Sequence, residues 1–132
     1  IEETRWLLQL ANADERIKGV VGWVDLKSNQ VEECLSEFAD NPRFVGVRHV
    51  VQDESDDRFI LQKEFLYGIS RLNNYNLTYD ILIYPKQLPA TLEFVKEFWD
   101  GTIPWNVFQS IVYTIPRNNF FTEFENSHFV SF

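Results

Sequence analysis

Two adjacent side chains carry the chemistry of this sequence: Arg48 and His49, at the end of the hexapeptide Phe44-Val-Gly-Val-Arg-His49. An arginine presents a fixed fork of donors for carboxylate, carbonyl or ring oxygens. A histidine can donate, accept or bind a metal. An acidic loop, Gln52-Asp-Glu-Ser-Asp-Asp57, follows at once. The mostly apolar run before Arg48 fits a buried strand that delivers both polar residues at its C-terminal end. In parallel α/β sheets and barrels that end is where ligands bind. Adjacent strand residues point to opposite faces, so both serve one site only where the chain already bends into the loop. The competing reading pairs Arg48 with Asp53 or Glu54 and gives His49 a backbone hydrogen bond. Asp25 and Tyr84 end neighbouring strands and are candidates for holding substrate. Asp25 could orient Arg48 or His49, or belong to the start of the next helix; Tyr84 could bond substrate or simply pack with a wet hydroxyl. Asp53, Glu54, Asp56 and Asp57 lack the spacing of a calcium loop and read as a solvated acidic loop. No Cys/His cluster has zinc spacing and no Gly-rich phosphate loop is present, so no metal ligand is assigned.

The elements that position these residues follow from periodicity. Glu2 to Ala13 predicts a helix with Trp6, Leu7 and Leu10 inward and Glu2 and Glu3 at its positive end. Ile17 to Leu26 is a continuous apolar run, the pattern of a parallel strand covered on both faces, with Gly19 and Gly22 allowing close backbone approach. Ser28 opens a helix through Ala39, with Val31, Leu35 and Phe38 in line, and Asp40-Asn-Pro42 ends it. A strand over Phe44 to Val51 is followed by a helix from about Ile60 to Asn73. A third strand runs from Leu77 to Tyr84, and a helix from Gln87 to Trp99 has Leu88, Leu92 and Val95 inward. Strands alternating with amphipathic helices predict an α/β fold with a parallel sheet and right-handed crossovers: one helix, then three consecutive βα units. Trp6, Trp23 and Trp99 read as core. From Gly101 the chain becomes aromatic-rich and poor in charge; a strand is expected near Val107 to Ile115, with no further βα pattern.

The 132 residues carry a net charge of -8, which argues against nucleic acid or an anionic membrane as partner. No apolar run is long enough to span a membrane. There is no secretory signal pattern, and Cys34 is a lone cysteine without a partner for a disulfide, so a cytoplasmic setting is expected. The sequence contains no Met and starts at Ile1, as expected of a piece of a longer product.

Four stretches carry a family resemblance: Glu2-Glu-Thr-Arg-Trp-Leu-Leu8, Gly19-Val-Val-Gly-Trp-Val-Asp-Leu26, Phe44-Val-Gly-Val-Arg-His49 with Gln52-Asp-Glu54, and Tyr79-Asp-Ile-Leu-Ile-Tyr-Pro-Lys-Gln-Leu-Pro89. In that order they resemble the middle of an amidohydrolase-related lactone hydrolase of the L-fuconolactonase-like branch. The resemblance implies residues 1–100 as part of a (β/α)₈ TIM barrel of roughly 250 residues, with 101–132 an aromatic tail that departs from the family. It implies hydrolysis of a sugar-acid lactone or related cyclic ester or amide at the barrel mouth, with Arg48 and His49 catalytic and Asp25 and Tyr84 on the substrate. It implies a divalent metal, Zn or Mn, in the full-length protein. The family's first-strand His-x-His, the Asp-His motif expected after Trp99 and the last-strand Asp are not matched, so the chain alone is expected to be inactive and to hold no metal. The alternative reading is a non-catalytic truncated fragment or interaction module, self-associating through open strand edges.

Overall fold

The structure, a computed structural model, describes residues 1–97 together with the backbone of two short strands beyond them. Its elements are α1 (Glu2–Ala13), β1 (Gly19–Gly22), α2 (Val31–Ala39), β2 (Phe44–Val50), α3 (Lys63–Leu72), β3 (Thr78–Ile83), α4 (Leu88–Glu97), β4 (Phe108–Tyr113) and β5 (Phe129–Val130). The predicted helix and three βα units are all present. β1 is shorter than the apolar run that encodes it, because pairing with β2 extends only over Val20 to Gly22. After it Val24 and Leu26 stay buried while Asp25 and Lys27 are exposed, an extended alternation leading toward α2.

All strand pairs are parallel, in the order β4-β3-β2-β1-β5. The strand expected near Val107 to Ile115 forms as Phe108–Tyr113 and pairs in parallel with β3, so the βα alternation extends one strand further than the sequence pattern suggested. β5 pairs with the other side of β1. The β1 and β3 edges, expected to stand open, therefore carry strands of the same chain. The expectations for Trp99 and for the rest of the aromatic tail lie outside the described residues.

Helix faces decide the core. α2 buries Val31, Leu35 and Phe38, the spacing read from sequence. α3 buries Phe65, Gly68, Ile69 and Leu72. In α1 the buried set is Thr4, Leu7, Leu8 and Ala11, whereas Trp6 is 52% and Leu10 40% exposed. The apolar stripe was misphased: Thr4 is the anchor, because its hydroxyl donates to the Trp23 carbonyl at 2.8 Å and accepts from the Trp23 amide at 2.9 Å. Gly22 leaves room for this contact, since a Cβ there would lie 2.5 Å from the Thr4 methyl. In α4 Ala90, Thr91 and Phe94 are buried and Leu92 is exposed. Phe65 is the hub of the core, with its ring centroid 5.0 Å from Phe59 and 5.8 Å from Tyr79. Asn76 takes the left-handed conformation that turns α3 into β3, a role short polar side chains tolerate.

Candidate functional site

In parallel register, Arg48 of β2 lies beside Asp80 of β3. Arg48 Nη2 donates to Asp80 Oδ2 at 2.8 Å, and the two side chains are only 17% and 9% exposed. Arg48 Nε is buried with no partner among the described residues. Tyr79, next to Asp80, points the other way: its ring meets Phe65 of α3 and Phe94 of α4 edge-on. By strand alternation, Arg48 and Asp80 occupy the sheet face away from these helices. A charge pair shielded from water on that face can hold a guanidinium rigidly and leave most of its fork for ligand oxygens.

His49 goes to the opposite face. Its ring stacks on Phe59 at 4.8 Å with planes 10° apart, and meets Phe65 edge-on at 5.4 Å. Its Nε2 lies 2.7 Å from Glu54 Oε1, and its Nδ1 is buried without a partner among the described residues. The two residues that adjoin in sequence are therefore not brought into one constellation. Arg48 pairs with Asp80 rather than with the acidic loop, and the loop's Glu54 takes His49.

Asp25 is exposed and accepts the Lys27 amide at 3.0 Å on its own side chain, so it closes the turn that leads toward α2 and contacts neither Arg48 nor His49. Tyr84 stands half-buried at the end of β3; its amide donates to Gln87 Oε1 at 2.9 Å. The loops at this C-terminal end are tied to one another. Lys27 Nζ donates to Gln62 Oε1 at 2.7 Å, linking the loops after β1 and β2. Gln87 Nε2 donates to the Val51 carbonyl at 2.6 Å, Lys86 pairs with Asp57 at 2.6 Å, and Arg58 pairs with Glu93 of α4 at 2.6 Å, linking the β2 loop to the β3 loop and α4.

Burial pushes the Tyr79 phenol well above its ordinary value, with the neighbouring Asp80 carboxylate acting in the same direction. Its hydroxyl has no partner among the described residues. It is a core residue on the helix side, not an acid–base group. Among the described residues no three His, Cys, Asp or Glu side chains converge to hold a metal. His49, the one imidazole with a defined environment, has Nε2 on Glu54 and Nδ1 buried. These residues do not fit a metal centre.

Sequence reasoning noted Asp80 and Glu54 but not the partners they take, Arg48 and His49, and gave Gln87 no role. Asp80 was legible in principle, as a charged residue inside an otherwise apolar strand. Glu54 looked like one more acid in a solvated loop, and Gln87 like an ordinary residue at a helix start; only the tertiary arrangement distinguishes them.

Comparison with known proteins covers most of the chain. It is 36% identical over 97 residues to an L-fucono-1,5-lactonase of Burkholderia ambifaria, a match spanning 74% of this chain and 33% of that protein. It is 38% identical over 94 residues to an L-fucono-1,5-lactonase of Burkholderia multivorans, spanning 70% and 31%. A crystal structure of an amidohydrolase from Burkholderia multivorans with bound Zn superposes with a TM-score of 0.68 at 36% identity, covering 73% of this chain and 34% of that one. No family model matches. The chain thus spans about a third of the length of the curated relatives it matches.

Proposed function

We propose that this chain, which resembles the L-fuconolactonase-like amidohydrolases, is the middle of a (β/α)₈ barrel and forms the substrate-holding part of a site that hydrolyses a sugar-acid lactone. The observation that carries the proposal is the shielded Arg48–Asp80 pair on the sheet face away from the helices, at 2.8 Å. Lactone hydrolysis builds negative charge on the carbonyl oxygen and then on a carboxylate product. A guanidinium fixed through one nitrogen can meet either with its remaining N–H groups. In this reading Arg48 touches substrate and Asp80 aims it. Tyr84, at the end of β3, offers a phenol to a sugar hydroxyl. Asp25 takes the Lys27 amide on one oxygen and is given no role on the substrate in this reading. A divalent metal, Zn or Mn, in the full-length protein would be held by side chains other than those described.

The test is a lactonase assay at neutral pH, with and without Zn²⁺ or Mn²⁺, on this chain beside a complete barrel carrying the same segment. Activity is expected only in the complete barrel. There Arg48→Ala should lower kcat/KM by about 10²–10³, the scale for removing one donor to a developing oxyanion. Saturable activity in the 132-residue chain would overturn the expectation that it needs the rest of the barrel. Undiminished activity in the Arg48→Ala barrel would remove Arg48 from the site. A second reading, a non-catalytic interaction module, draws on the exposed Trp6 and Leu10 of α1; it gains if the complete barrel is inactive on sugar lactones.

A further inference from the structure

The turn that follows β2 is fastened at two points. Residues Val51–Asp53 form a short helical turn. The Val51 carbonyl accepts from the Glu54 amide at 3.1 Å and from Gln87 Nε2 at 2.6 Å. Gln87 is fully buried, and its Oε1 takes the Tyr84 amide at 2.9 Å. One amide side chain therefore joins the end of β2 to the end of β3. The second point is Glu54, whose carboxylate accepts from His49 Nε2 at 2.7 Å across the same turn. A carboxylate can only accept, so Nε2 carries the hydrogen. A hydrogen on the buried Nδ1 would find no acceptor among the described residues, so in the neutral ring Nδ1 holds the lone pair. Phe59 and Phe65 cover the ring, and neither nitrogen reaches the face that carries Arg48.

We propose that His49, Glu54 and Gln87 form a latch that positions Arg48. All three are positioning residues, and the significance of the latch rests on the reading that Arg48 holds the lactone oxygens. The physical need is clear from the strand. β2 ends at Val50, close behind Arg48, and among the described residues only Asp80 fixes the guanidinium itself. A frayed strand end would let the fork swing on its long stem, and the rotamer freedom would have to be removed again on each binding event. Fastening the turn from both its own loop and the next one holds the strand end in place before substrate arrives.

The test needs no substrate. The 132-residue chain is labelled with ¹⁵N and read by NMR for three signals: the His49 tautomer, hydrogen exchange at the Glu54 amide, and exchange at the buried Arg48 Nε–H. The expected result is the Nε2–H tautomer and slow exchange at both other positions. Glu54→Ala should speed exchange at both by about ten- to a hundredfold, the scale of one net charge-assisted hydrogen bond. The Glu54 side chain is 34% exposed, so this variant leaves the core intact. Gln87→Leu removes the donor to Val51 together with the acceptor for the Tyr84 amide, and at the Val51–Glu54 turn it should have the same local effect. Glu54→Gln, which keeps an acceptor oxygen for Nε2–H, should restore most of the protection. The amides of Ile81 and Ile83 in β3 should be unmoved in the Glu54 variants. An Nδ1–H tautomer, an unmoved Arg48 Nε–H in Glu54→Ala, or protection falling equally across β3 would overturn the latch. Because no readout depends on turnover, failure of the lactone reading would leave these results standing, and failure of the latch would leave the lactonase assay intact.

Discussion

Replacing Asp80 by alanine breaks the candidate site at its anchor, and the cost can be bounded. The substitution leaves Arg48, 17% exposed, without the carboxylate that lies 2.8 Å from its Nη2. Removing one member of a fully buried pair costs about 3–5 kcal/mol, because the other charge stays uncompensated. A solvent-exposed pair is worth under about 1 kcal/mol. With the carboxylate 9% exposed, the pair lies nearer the buried limit, so Asp80→Ala should cost about 2–4 kcal/mol. Asp80→Asn keeps an acceptor oxygen while losing the charge, and should cost about 1–2 kcal/mol. The assay is urea denaturation of the 132-residue chain followed by tryptophan fluorescence, with the midpoint falling and the slope unchanged. Asp80 has interactions besides the one with Arg48, so the single variant overstates the pair. A double-mutant cycle with Arg48→Met isolates it, with an expected coupling of about 1–3 kcal/mol. Coupling below about 0.5 kcal/mol would refute the reasoning: the pair would then be behaving as a surface contact, and the shielded face on which the function rests would not exist.

Two further perturbations test the packing that presents the site. Gly68→Ala would place a Cβ 2.0 Å from the Leu26 carbonyl oxygen, a backbone atom with little room to yield, and should destabilise by about 3 kcal/mol or force α3 to shift; an unchanged urea midpoint would show that α3 does not run this close to the loop after β1. Tyr79→Phe removes a buried hydroxyl that has no partner among the described residues, so stability should hold or rise by about 1 kcal/mol; a loss above about 1 kcal/mol in thermal melting would reveal a bond to that hydroxyl.

Much of the fold was legible because periodicity and punctuation agree. Asp40-Asn-Pro42 and Asn73 to Asn76 mark the turns that end α2 and α3, and the spacing of Val31, Leu35 and Phe38 gives the buried face of α2 directly. The errors have a common physical cause. In α1 and α4 apolar residues cover more than one face, and hydrophobicity alone does not say which face meets the sheet. Thr4 settles it in α1 by bonding the Trp23 backbone, leaving Trp6 outside; Phe94 settles it in α4, leaving Leu92 outside. The strand Phe108–Tyr113 was foreseen as a strand, but its parallel place beside β3 depends on long-range pairing that no local pattern encodes.

The candidate site was less legible than the fold, and β2 shows why. Sequence adjacency makes Arg48 and His49 look like a pair, but the pleat separates neighbours to opposite faces, and whatever each then meets comes from elsewhere in the chain. Arg48 meets Asp80, which is 32 residues away; His49 meets Glu54 and Phe59, which the loop folds back onto the strand. The separation is what gives the strand end its two properties. On one face a guanidinium is held through one nitrogen and, among the described residues, keeps the rest of its donors. On the other face the imidazole, sealed by aromatic rings, anchors the loop. Had both residues faced the same way, they would have competed for one acidic partner; placed apart, each meets its own carboxylate, Arg48 on Asp80 and His49 on Glu54.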